Sequence, residues 1–177
     1  SLLAQLSHPH IAQLISGGQY ADKRHYMVLE WVDGSDLLAY AQQHSLALKK
    51  RLRLFIQVCE AVAYAHQNGI IHRDIKPSNV MVDKNGVVKL LDFGVAKSKD
   101  INITETQHDQ MLTMAYASPE QLKGEKVSTV TDVYSLGLLL YELLTGQKAH
   151  AVDNTSPAEL IDSITSQMPT SPSERLN

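Results

Sequence analysis

The apolar positions change rhythm along the chain, and each change predicts an element. Leu2, Leu3 and Leu6 keep helical spacing, and Pro9 closes that helix because proline cannot continue it. Ile11 to Ser16 and His25 to Glu30 then carry strand-like runs on either side of a polar turn at Asp22-Lys23-Arg24. Gly17-Gly18 reads as a strand-end turn; it lacks the Gly-x-Gly-x-x-Gly spacing and following helix of a phosphate-cradling loop. Ser35 is placed to cap a helix over Asp36 to His44. A long amphipathic helix is predicted at about Leu48 to Gln67, with Leu52, Phe55, Val58, Cys59, Val62 and Ala63 on or near one face. Asn68-Gly69 stops it with a residue that tolerates the left-handed conformation.

Two short strands come next, Val80-Met81-Val82 and Val87 to Leu91, joined by the turn chemistry of Asp83-Lys84-Asn85-Gly86. Past Gly94 the chain is polar and irregular up to Tyr116, poor in large apolar groups. Thr131 to Gly146 is apolar almost all round, which predicts a helix buried on all sides. Pro157 to Ser166 fits one more short helix, and Met168 to Asn177, rich in Pro, Ser and Thr, reads as a tail. The sum is an α+β chain.

Composition narrows the class. At 177 residues the chain fits one domain, and 44% hydrophobic with 20% charged residues is the balance of a soluble globular protein. A net charge of −3 argues against a nucleic-acid surface, so Lys49-Lys50-Arg51 and Arg53 read as the wet face of a helix. The single cysteine, Cys59, excludes an intrachain disulfide, reads as a buried structural thiol and fits a reducing cytoplasm. No apolar run reaches the ~18 residues that span a bilayer, and no signal peptide is visible. Ser1 stands where an initiator methionine would, so the chain reads as opening in the middle of something longer. No pair of its histidines has the i, i+4 spacing of a zinc helix.

The candidate chemistry lies in His72-Arg73-Asp74-Ile75-Lys76-Pro77-Ser78-Asn79 and, beyond the predicted hairpin, in Asp92-Phe93-Gly94. The hairpin folds Asp92 back toward Asp74 and Asn79, giving an oxygen-rich cluster beside Lys76. Oxygen ligands suit Mg²⁺, which takes one or two protein groups and shares phosphate oxygens. A carboxylate can orient and deprotonate a hydroxyl, and an ammonium can offset charge on a moving phosphoryl group. Phosphoryl transfer from a metal-bound nucleotide needs that set.

The spelling of both stretches resembles the catalytic loop and metal-binding motif of eukaryotic-type serine/threonine protein kinases. The resemblance implies a protein-kinase-like fold: an N-lobe remnant over 1–29 (the end of the C-helix and two strands), a hinge over 30–35, part of a mostly helical C-lobe over 36–165, and a tail over 166–177. It implies ATP and Mg²⁺, with Asp74 as catalytic base, Lys76 on the γ-phosphate, and Asn79 and Asp92 as metal ligands. Leu29 would be the gatekeeper, the backbones of Glu30 and Val32 would bond the adenine edge, and Met81 would line the nucleotide site. Asp36 would either reach the ribose or serve its helix N-terminus. His72 would pack on Phe93 in a stacked column with Leu3 and Leu14 above. Arg73 resembles the arginine that grips a phosphate on the activation segment; Thr104 and Thr106 are its candidate carriers or plain loop residues. Thr113 resembles the threonine that contacts the base, and Met114 stands where many relatives have proline. Asp132 would bond the catalytic-loop backbone. Glu120 resembles an acid that pairs with a distant arginine, for which Arg175 comes too early.

A kinase also positions its nucleotide with a glycine-rich loop and a strand lysine paired to a C-helix glutamate. By register these fall before Ser1, so negligible transferase activity is expected of residues 1–177 alone. The leading reading is a serine/threonine kinase acting on a protein substrate, the class implied by Lys76, which, two residues after Asp74, resembles the Ser/Thr pattern. The spelling Tyr116-Ala117-Ser118-Pro119-Glu120-Gln121 resembles bacterial members of the family, which implies a bacterial source. A pseudokinase or scaffold module is the alternative, and a small-molecule kinase of the aminoglycoside type a distant third.

Overall fold

A computed structural model of the chain describes residues 6–93, 107–152 and 155–176. The predicted C-helix end lies outside them apart from Leu6, which is buried. Strand β1 (Leu14–Gln19) pairs antiparallel with β2 (His25–Leu29), from Leu14 opposite Leu29 to Gln19 opposite His25. β1 starts later than the apolar run suggests because the residues before it pair elsewhere. The Ala12 amide donates to the Leu90 carbonyl (2.9 Å) and the Leu90 amide to the His10 carbonyl (2.9 Å). Gly17-Gly18 is not a turn but lies inside β1, opposite Met27 and Tyr26. A side chain on Gly18 would meet the Tyr26 hydroxyl at 2.6 Å, so glycine lets that ring lie across the strand. The turn comes later, closed by the Tyr20 amide on the Arg24 carbonyl (2.8 Å).

The hinge stretch runs directly into a second sheet, β3 (Gly34–Asp36), β4 (Val80–Asp83) and β5 (Val88–Leu90), antiparallel throughout. Ser35 is therefore paired with Val82 and does not cap the helix α1 (Leu37–Gln43). Asp36 does so instead, its Oδ1 accepting the amides of Leu38 (3.0 Å) and Ala39 (2.9 Å). The β4–β5 hairpin forms where expected. Asp83 Oδ1 takes the Asn85 and Val87 amides (both 2.8 Å), and Gly86 supplies φ = 79°.

Helix α2 (Leu48–Gln67) ends at Asn68, with Gly69 at φ = 73°. Its buried face is Leu54, Val58, Ala61, Val62 and Ala65, with Phe55 partly buried against the core; Val58 and Val62 lie inward as expected, whereas Leu52 and Ala63 are exposed and Cys59 is only half-buried. The alanines explain the choice, because small residues let α2 approach both β5 and the helix α5 (Thr129–Thr145). α5 is not buried on all sides: Val130 is 67% and Val133 60% exposed. Its first two turns direct Thr131, Asp132 and Ser135 inward, where these polar groups find partners, and so rotate the valines outward.

The stretch expected to be irregular contains α3 (Gln107–Met114), held by half-buried Met111, Leu112 and Met114. Three short helices follow the same start signal, α4 (Pro119–Leu122), α6 (Pro157–Ser166) and α7 (Pro172–Arg175). Each has a serine cap, proline in the first turn, and a Gln or Glu returning a bond to the cap amide. α7 orders part of the expected tail, with Arg175 Nε donating to the Tyr141 hydroxyl (3.0 Å). The main core joins α1, α2, α5 and the three-stranded sheet around Leu37, Val58, Ile75, Val80, Leu90 and Leu139. Catalytic-loop candidates 72–79 run across one edge of that core, between α2 and β4.

Candidate active site

His72 is fully buried and fixes the loop from inside. Its Nε2 meets the Leu91 carbonyl (2.8 Å), while Nδ1 receives the Asp74 amide (3.2 Å). That pair of bonds requires the neutral ring with the proton on Nε2. Burial holds the His72 pKa below the ordinary histidine range, outweighing the carboxylates of Asp132, Asp74 and Asp92 that face it. Its ring lies 4.6 Å from that of Phe93. Leu14 shares an apolar recess with Leu29, Leu90, Phe93 and Asp92; Leu3 lies outside the described residues.

Asp132, fully buried at the start of α5, anchors the same loop. Its Oδ2 accepts the His72 amide and Oδ1 the Arg73 amide (both 2.8 Å), and His66 Nε2 meets Oδ2 at 2.6 Å. Between these supports Arg73 adopts φ = 67°, a left-handed conformation rare for a residue with a side chain. Gln121 Nε2 secures the Arg73 carbonyl from α4 (2.8 Å). Asp92 is likewise left-handed, at φ = 47°. Strain of this kind gathers where function demands a geometry.

Asn79 joins the pieces. Its Nδ2 donates to the Asp74 carbonyl (2.8 Å) and to Asp74 Oδ2 (3.0 Å), and its carbonyl accepts the Leu91 amide (2.8 Å). The donor end of the side chain is thus committed to Asp74, leaving the amide oxygen as the end that can face a cation. Asp92, next after Leu91, is exposed. Lys76 Nζ lies 3.6 Å from Asp74 Oδ2 and donates to Thr113 Oγ1 at 3.0 Å. Asp74, Lys76, Asn79 and Thr113 therefore form one connected group, with Asp92 tied in through Leu91.

The remaining candidates surround this group or lie apart. Leu29 and Met81 are half-buried, on β2 and β4. The Glu30 amide goes to the Gln13 carbonyl (2.9 Å), and its carboxylate takes the Gln13 amide (2.9 Å) and Lys89 Nζ (2.7 Å). Burial would raise the Glu30 pKa, but those two donors outweigh it and hold it below the carboxylate range. Val32 sits beside Trp31, which is 90% exposed. Asp36 already serves α1 as its cap. Glu120 accepts from Thr131 Oγ1 (2.6 Å) within the chain. Thr104 and Thr106 lie outside the described residues, so no partner is assigned to Arg73's side chain.

Sequence reasoning missed His66, Gln121 and the group Tyr116, Glu142 and Lys148. No short motif announces them, since each acts on a residue tens of positions away. Only the pairing of Gln121 with its own cap, Ser118, was legible as a Ser-Pro-x-Gln start.

Among the described residues no helix is long and apolar enough to cross a membrane. Residues 1–175 match the protein kinase domain family. Similar curated proteins include a probable serine/threonine-protein kinase PknB of Lactococcus lactis, 41% identical over 150 residues (82% of this chain, 23% of that protein). The serine/threonine-protein kinase PknB of Mycolicibacterium smegmatis is 38% identical over 178 residues (97% and 28%). That of Mycobacterium leprae is 36% identical over 177 residues (97% and 28%). The chain spans about a quarter of the length of these relatives, all of them bacterial.

Proposed function

Because this chain belongs to the protein kinase domain family, we propose that it carries the phosphoryl-transfer centre of a serine/threonine protein kinase. The observation that carries the reading is the bridge made by Asn79, which ties Asp74 to the end of β5 and so to Asp92. Asp74 would orient a protein Ser or Thr hydroxyl and take its proton as the oxygen bonds to the γ-phosphorus of ATP and the bond to the departing ADP oxygen breaks. Lys76, steered by Thr113, neutralises phosphate charge next to it.

An amide oxygen from Asn79 and a carboxylate from Asp92 suit Mg²⁺, which fills the rest of its shell with water and phosphate oxygens. ATP bound with that ion would supply the group transferred. Leu29, Glu30, Val32 and Met81 would hold its base; Asp36, already engaged as a cap, would reach the ribose only through its remaining capacity. The reaction belongs in the cytoplasm, where ATP is abundant, and the free Cys59 suits that compartment. The acidic balance of the chain gives no basis for a nucleic-acid partner.

The test is phosphate transfer from labelled ATP by the protein expressed from its complete reading frame, compared with Asp74→Asn. Loss of a general base lowers the rate by about 10²–10⁴. Undiminished labelling in the variant would remove Asp74 from the mechanism.

A further inference from the structure

Lys148 lies just beyond α5, away from the loop that carries Asp74, yet a continuous set of contacts joins the two. Its Nζ donates to the Tyr116 hydroxyl (2.8 Å) and to Glu142 Oε1 (3.1 Å), and sits 4.8 Å from the centre of the Tyr116 ring. The Tyr116 hydroxyl in turn donates to Glu142 Oε2. Tyr116 is 6% exposed, and burial, reinforced by Glu142, pushes its phenol far above the ordinary tyrosine range, so the hydroxyl stays a donor. The Tyr116 amide donates to the Thr113 carbonyl (3.2 Å), and its own carbonyl is pinned by Ser135 Oγ (2.8 Å). Thr113 Oγ1 then holds Lys76, which lies 3.6 Å from Asp74.

We propose that Lys148 is a positioning residue for the phosphoryl-transfer site, acting through Tyr116 and Thr113 on Lys76 and Asp74; this rests on the kinase reading of Asp74. The physical case begins at Glu142, whose side chain is 12% exposed. Among the described residues Lys148 is its ion-pair partner. Without that ammonium a poorly hydrated carboxylate is left against the Tyr116 hydroxyl alone, which is strongly unfavourable, and the ring also loses its cation. The turn 113–116 then shifts, and Thr113 Oγ1 moves with it. Lys76 is released toward Asp74, its nearest carboxylate, where it blocks the proton acceptor instead of facing phosphate. The candidates for holding the nucleotide base, Leu29, Glu30, Val32 and Met81, lie outside this chain of contacts, and Lys76 is its one member assigned to phosphate, so the loss should fall mainly on kcat and little on KM for ATP.

The experiment uses the complete gene product with Lys148→Met, Lys148→Arg and, as a control on the kinase reading, Asp74→Asn. Phosphate transfer is measured per folded molecule, alongside the ¹⁵N signal of the Lys76 ammonium. We expect Lys148→Met to lower kcat by about 10- to 100-fold, the range for a small displacement of a reacting group. KM for ATP should stay within about twofold of wild type, and Lys148→Arg, which restores a cation and donors, should recover most of kcat. The Lys76 signal should move in Lys148→Met and return in Lys148→Arg. Unchanged kcat in Lys148→Met, a change confined to KM for ATP, or a Lys76 signal indifferent to Lys148 would each overturn the inference. If Asp74→Asn labels as well as wild type, the kinase reading fails instead, and the Lys76 signal still decides the coupling. Tyr116→Phe, which keeps the ring but cuts the hydroxyl from the chain, should act in the same direction. It decides the matter should Lys148→Met prove too unstable to purify.

Discussion

A buried carboxylate with three donors around it is worth more as a geometric clamp than as a charge. Asp132 accepts two consecutive backbone amides, those of His72 and Arg73, where the chain at Arg73 turns left-handed. The strain at Arg73 is therefore held by Asp132 on one side and Gln121 on the other. Asp132→Asn keeps the shape but replaces one acceptor oxygen with a donor, leaving an amide or the His66 contact unmatched. Expected is a loss of about 1–3 kcal/mol in urea unfolding, the usual penalty for an unsatisfied buried group. An unchanged midpoint would show that the loop does not depend on Asp132. At this scale the grouping of Asp74, Lys76 and Asn79 was legible, because the three stand within six positions of one another. His66 and Lys148 were not, because Asp132 and Tyr116, which they meet, lie far off in sequence and only packing brings them together.

Elements were legible in proportion to how locally they are determined. α2 and α6 carry their own stop and start signals, Asn68-Gly69 and Ser156-Pro157, and their limits could be read from these. The start of β1 and the buried face of α5 depend on what they pack against, β5 in one case and Asp132's partners in the other. Glycines make the same distinction testable. At Gly34 a Cβ would fall 1.9 Å from the Val82 carbonyl oxygen across the β3–β4 pair. Gly34→Ala should therefore destabilise by about 1–3 kcal/mol through forced separation of the strands. At Gly137, exposed within α5, nothing lies within 4 Å of the same atom. Gly137→Ala should stabilise by about 0.4–1 kcal/mol by reducing the freedom of the unfolded chain. Denaturation midpoints moving the same way for both would contradict the packing described.

Acid sensitivity is a property of the whole molecule. Burial lowers the pKa of His72, His8 and His150 below the model-peptide value of 6.5, with His10 adding to the effect at His8. A depressed histidine means that the unfolded chain binds protons before the folded one does. The stability tied to these rings is thus complete above pH 6.5 and drains away as pH falls toward their folded values. The lowered carboxyls of Glu30, Asp83 and Glu120 contribute in a separate window, lost only below the ordinary carboxylate range. His150 is 3% exposed; its Nδ1 meets Ser163 Oγ at 2.9 Å, and Nε2 has no hydrogen-bond partner among the described residues. His150→Phe should flatten the fall in unfolding free energy between pH 7.5 and 5.5 by up to about 1.4 kcal/mol per pH unit, the limit for one proton. Equal slopes for variant and wild type would exonerate His150.

The three Ser-Pro starts have a reach beyond the bonds they make. Proline forbids the preceding residue from joining the helix, so neither α4, α6 nor α7 can slide backward by a residue. With its origin immovable, each acquires a fixed angular clock: three positions past the proline come Leu122, Leu160 and Arg175. Leu160 is fully buried, and Arg175 reaches Tyr141. Rotation about the axis is thus dictated by a four-letter cassette rather than negotiated with neighbours, which leaves the letters downstream at liberty to drift without turning a helix the wrong way round.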